Sequence, residues 1–120
     1  MQSLSLAPPN SLILVMDPSA HDIPKSMGGS LVSATPSVVA IGCRAEVDGE
    51  TEVRLGHDKE VDLGTSPVFV GPLDVPTLVV SVRTVLGEEI LSQRVGRRHV
   101  TLRVWANDSA EPTLIGIGVS

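Results

Sequence analysis

Histidine followed by aspartate occurs twice in this chain, at His21-Asp22 and His57-Asp58, and a third histidine stands at His99. With Cys43, these are the residue types that could hold a divalent metal and activate water in a metal-dependent hydrolase. A zinc site needs three or four such ligands about 2.0–2.3 Å from the ion, with outer partners fixing each imidazole. Neither dipeptide has the spacing of a CxxC or HExxH motif, and both fall in stretches that read as loops. Surface and capping roles are the expectation for His21, Asp22, His57, Asp58 and His99, and no cofactor is expected.

The stretch Glu46-Val47-Asp48-Gly49-Glu50-Thr51-Glu52 resembles a calcium loop only in its carboxylates, because the twelve-residue ligand arrangement and flanking helices are missing. Glu46, Asp48, Glu50 and Glu52 read instead as a solvated acidic face for a basic protein partner. No serine sits in a GxSxG elbow. Cys43 falls on an expected strand facing the core, where a thiol is inert unless its thiolate is stabilised. Ser26-Met27-Gly28-Gly29-Ser30 offers backbone amides but no phosphate-loop lysine, and reads as a flexible turn.

Arg94, Arg97, Arg98 and Arg103, with Trp105, are the one basic-aromatic concentration. A strip of this kind could stack a base on Trp105 and hold phosphates with the arginines. One aromatic makes a poor platform. In the alternation of His99–Trp105, Val100, Leu102 and Val104 share one side while Arg103 and Trp105 share the other. An outward Trp105 beside Arg103 would be a protein-interaction hot spot; the competing expectation is that it packs under the N-terminal arm or across a bend.

The elements that must position these residues are short strands. Eighteen Val, six Ile and seven Thr make β-branched residues 31 of 120, and eleven Gly and nine Pro are spaced to cut most helices short. Residues 1–11 read as an N-terminal arm, and 12–120 as one β domain. Leu12–Met16 is apolar on both strand faces, so an arm, a second sheet or a second copy must cover one of them. Asp17-Pro18 is suited to capping a turn. Ser37–Gly56 reads as a hairpin with a three-residue loop, Val47-Asp48-Gly49, in which Ile41 faces Leu55, Cys43 faces Val53 and Arg44 faces Glu52. Val68-Phe69-Val70, bounded by prolines, suits an edge. Thr77–Leu86 returns through Gly87-Glu88 or Gly87-Glu88-Glu89 into Ile90–Val95, with a helix over Glu88–Val95 as the alternative, and His99–Trp105 and Thr113–Val119 complete the set.

This pattern predicts an all-β fold, an antiparallel two-layer sandwich or small barrel with at most one short helix. The net charge of −5 disfavours nucleic acid and anionic membranes as partners. The charge is uneven: ten acids and four bases up to Asp74 sum to −6, and four acids and five bases thereafter sum to +1. A lone cysteine and a start without a basic n-region point to the cytoplasm. The function expected is a small non-catalytic module that binds a protein partner or assembles, inhibitor-like, through acidic loops and a β face, with a homodimer as its expected state. The alternatives are a barrel that binds single-stranded nucleic acid or a small ligand, and the metal-dependent hydrolase.

Overall fold

A computed structural model describes residues 1–120. Ten strands run in chain order: β1 (Gln2–Leu6), β2 (Leu12–Met16), β3 (Val32–Ala34), β4 (Val38–Gly42), β5 (Thr51–Gly56), β6 (Phe69–Asp74), β7 (Val79–Thr84), β8 (Glu89–Arg94), β9 (His99–Ala106) and β10 (Leu114–Val119). They form two five-stranded sheets packed face to face. Sheet A has the order β1-β5-β10-β9-β6, and sheet B the order β3-β4-β2-β7-β8. Every pairing is antiparallel except β5 with β10. The expected two-layer antiparallel sandwich is the architecture. Its interior is filled by eighteen buried side chains, among them Ile13, Val15, Val39 and Ile41 from sheet B and Val53, Leu55, Leu102, Val104, Ile115 and Ile117 from sheet A. A barrel with a vacant ligand cavity is excluded by that filling.

The Ser37–Gly56 hairpin does not form. β4 pairs with β2 and β3, whereas β5 pairs with β1 and β10 in the other sheet. The intervening residues cross from one layer to the other as an arch, with a 3-10 turn at Glu46–Asp48. Side-chain parity turns Ile41, Cys43, Val53 and Leu55 inward, but an arch between facing sheets satisfies that parity as well as a hairpin does. What decides between them is the supply of strand edges. Both sides of β4 and both sides of β5 are already paired. Gly49 is required either way, since its φ of 120° lies where a side chain is strained.

Residues 1–11, expected as an arm, supply β1, which lies along β5 from Gln2↔Leu55 to Leu6↔Thr51. The outer face of β2 is covered elsewhere. Leu14 and Met16 join Val38 and Ala40 in a second apolar cluster, and Ala20 and Met27 of the 17–31 loop pack onto it. The two-faced apolarity of β2 is thus accounted for within one chain and requires no second copy.

That loop is fastened at its root by Asp17, which is fully buried. Its Oδ2 accepts the Ser19 amide at 2.8 Å and the Ser19 hydroxyl, while its Oδ1 accepts the Thr77 amide at 2.9 Å and the Thr77 hydroxyl at 2.6 Å. Burial alone would raise this carboxyl, but the hydrogen bonds from Ser19 and Thr77 outweigh it and hold Asp17 below the ordinary carboxylate range. Asp17 and Pro18 open a hydrogen-bonded turn, with the Ala20 amide donating to the Asp17 carbonyl at 3.0 Å, and no helix follows.

The one α-helical turn, α1 (Asp58–Val61), lies in the segment that reads as a polar loop, whereas Glu89–Arg94 is strand β8. α1 rests on the outer face of sheet A over Gly56, Gly116 and Gly118. A Cβ on Gly116 would overlap the Val61 carbonyl oxygen, and one on Gly118 would overlap the Asp58 carboxylate. The glycines that alternate with Ile115, Ile117 and Val119 are therefore the floor on which α1 sits. No helix is long and apolar enough to cross a membrane.

Candidate partner-binding end of the sandwich

One end of the sandwich gathers the arch, the 107–113 loop and the β7–β8 turn. Cys43 donates its amide to the Ser11 carbonyl at 2.8 Å, and Arg44 donates to the Pro112 carbonyl at 3.3 Å. Past the turn, the Thr51 hydroxyl also donates to Pro112 at 3.0 Å, and the Glu52 amide to Thr113 at 2.8 Å. Glu46 Oε1 accepts the Asn10 amide at 2.7 Å. The arch is thus stitched to two neighbouring segments, and its tip is held rather than loose. The β7–β8 turn joins this end because Leu12↔Gly42 and Ile13↔Thr84 are adjacent rungs of sheet B.

At the tip, Val47 is 93% exposed, the most solvent-facing large apolar side chain of the protein. Glu46, Asp48 and Glu50 flank it, all exposed. Asp108, Glu111 and Glu88 stand on the adjoining loops. None of these six carboxylates belongs to an ion pair. Asp108 accepts the Glu111 amide at 2.7 Å and the Ala110 amide at 3.0 Å, and these bonds lower its carboxyl below the usual range. The arrangement is an exposed apolar tip flanked by carboxylates that belong to no ion pair, with Arg44 at the base of the same arch.

The residues singled out from the sequence are only partly brought together. Glu46, Asp48 and Glu50 share the tip. Glu52 lies on the outer face of sheet A and pairs with Arg54 two residues along, not with Arg44. Arg44 packs at the base of the arch, where its Nη1 would lie 3.4 Å from a Cβ on Gly49. Arg103 is one row from Trp105 on that outer face, where Asp58 of α1 receives its Nη1 at 2.7 Å.

Trp105 does point away from the interior, as the alternation requires, but it is 3% exposed. The strap following α1 covers it, with its Nε1 donating to the Thr65 carbonyl at 3.0 Å. An exposed hot spot and a base-stacking platform are both excluded by this cover, which lies over the sheet itself and not under residues 1–11 as an arm.

The histidines stay apart. His21 and Asp22 lie exposed in the 17–31 loop, His57 precedes α1, and His99 Nδ1 lies 3.3 Å from Asp74 Oδ1. No three His, Cys, Asp or Glu side chains converge in a metal-ligating group, so the hydrolase constellation does not assemble. Cys43 is buried, and burial pushes its thiol up to about 12, only partly opposed by the neighbouring Thr51 side chain.

Sequence reasoning missed Val47 as an exposed apolar tip, because a hairpin loop and an arch tip look alike in composition. It also missed Asp108 and Glu111. Their part in the acidic end follows from β10 lying beside β5.

No family model matches the chain, and no curated protein matches it in sequence. A solved structure does resemble it: ComJ from Bacillus subtilis, described as an inhibitor of the DNA degrading activity of NucA. The two superpose with a TM-score of 0.70 at 11% identity, over 99% of this chain and 94% of that one. At this identity the likeness establishes a shared fold along essentially the whole chain.

Proposed function

We propose that this protein is a non-catalytic binding module of the inhibitor kind, which docks its acidic end on a basic surface of a protein partner. The observation that carries this reading is the tethered arch, with Val47 exposed at its tip among Glu46, Asp48 and Glu50. The likeness to ComJ supports it and suggests the partner class, an enzyme that degrades nucleic acid. The groove of such an enzyme must attract phosphates, so it presents the basic field that this end complements. Long-range attraction sets the encounter rate, while Val47 and the backbone of the arch set residence.

The test is inhibition of DNA degradation by nucleases purified from the native cell, followed by binding kinetics with whichever enzyme responds. Glu46→Gln, Asp48→Gln and Glu50→Gln together should slow association about tenfold at low ionic strength and little at high. Val47→Asp should act chiefly on dissociation. Inhibition that survives both sets of changes removes the acidic end from the mechanism. Association indifferent to salt removes the charge argument.

A further inference from the structure

The opposite end of the sandwich carries arginines that have no carboxylate partner. Of seven arginines, four are held by carboxylates: Arg54 by Glu52, Arg83 by Glu89, Arg98 by Asp74 and Arg103 by Asp58. Two of the remaining three, Arg94 and Arg97, line one cleft of about 160 Å³ where β8 turns into β9. His57, Gln93 and Ser120 add polar groups to its wall, and Val95, Val100 and Val119 form its apolar part. No carboxylate side chain lines it.

Three acids of this end have partners of their own. Asp58 is bound to Arg103 at 2.7 Å, Asp74 faces Arg98 and His99 at 3.2 and 3.3 Å, and Glu60 accepts the His57 amide at 2.9 Å. In a chain of net charge −5, two arginines that belong to no ion pair therefore line one concavity.

We propose that this cleft binds a tetrahedral oxyanion, a phosphate or sulfate group. Guanidinium presents paired N–H donors that match the edge of such an anion, and Gln93 and His57 offer further donors. The volume admits one phosphate group but not a nucleoside, so any sugar or base attached to it would remain outside. The site is separate from the acidic end and does not depend on the function proposed for that end.

Inorganic phosphate titrated into the full chain at low ionic strength should give saturable shifts of the Val95, Gly96 and Arg97 amides in NMR spectra, with affinity in the millimolar range. Arg94→Gln together with Arg97→Gln should weaken binding at least tenfold. Arg98→Gln, which removes an arginine already held by Asp74, should leave affinity within about twofold. Sulfate should compete with phosphate. Adenosine monophosphate should bind no more than a few-fold tighter, and a much larger gain would mean that the site is built for the nucleoside and not for the oxyanion. All of these side chains are exposed, so the variants are expected to fold. Shifts that do not saturate, or equal weakening by Arg98→Gln, would reduce the effect to a diffuse field and overturn the assignment.

Discussion

Each sheet has an outer face that an excursion of the chain must cover, and the two covers work differently. On sheet B, the 17–31 loop lays Ala20 and Met27 over Leu14, Met16, Val38 and Ala40, and a buried polar knot at Asp17 fastens its root. On sheet A, α1 and the strap after it lie close to the backbone, because Gly56, Gly116 and Gly118 present no side chains there. The Asp58–Arg103 pair and Trp105 beneath Thr65 then hold this second cover. One cover is fastened at a point by hydrogen bonds. The other is fitted along its length by shape.

The largest effect should come from cutting the knot. Asp17→Ala leaves the Ser19 and Thr77 donors without their acceptor and should cost about 3–4 kcal/mol, given the usual worth of hydrogen bonds to a charged group. Chemical denaturation measures this. Trp105 emission should stay that of a buried indole until global unfolding, since the sheet A cover is untouched.

The same carboxylate makes a pH prediction with a definite sign. Its folded pKa is depressed, so its stabilisation is fully present above the unfolded value near 3.8 and is lost as pH falls through the folded value. Between about pH 4 and pH 2, the parent protein should lose stability more steeply than Asp17→Asn does. Parallel slopes would mean that Asp17 is not the group responsible.

Breaking the shape-fitted cover should cost somewhat less. Gly116→Val drives a side chain into the Val61 carbonyl, which is backbone and cannot rotate away, and overpacking of this kind costs about 2–3 kcal/mol. Here the telling observation is local: Trp105 emission should shift to the red while the protein is still folded. An unchanged spectrum would show that α1 does not depend on the glycine floor. The smallest effect should follow from Met27→Ser, which removes half-buried apolar area from the sheet B cover and should cost about 1 kcal/mol. If Met27→Ser matched Asp17→Ala, the loop would be held by apolar contact and not by the knot.

Much of this architecture was legible along the chain, and the errors share one cause. Strand alternation, the turn at Gly87 and the edge placement of the proline-flanked Phe69 strand depend on residues close in sequence, so local stereochemistry determines them. Parity alone also determined which side chains turn inward at Ile41, Cys43, Val53 and Leu55. It could not decide whether they meet across a ladder or across the core, because both arrangements bury the same faces. That choice belongs to the competition for strand edges, won on β5 by β1 and β10.

The acidic tip was visible as composition. Its union with Asp108 and Glu111 required β10 to lie parallel to β5, a pairing that no local signal encodes. Trp105 has the same lesson. Alternation placed it on the outer face, and only the tertiary structure, by laying over it a strap forty residues away in the chain, decided that an outward side chain would be a buried one.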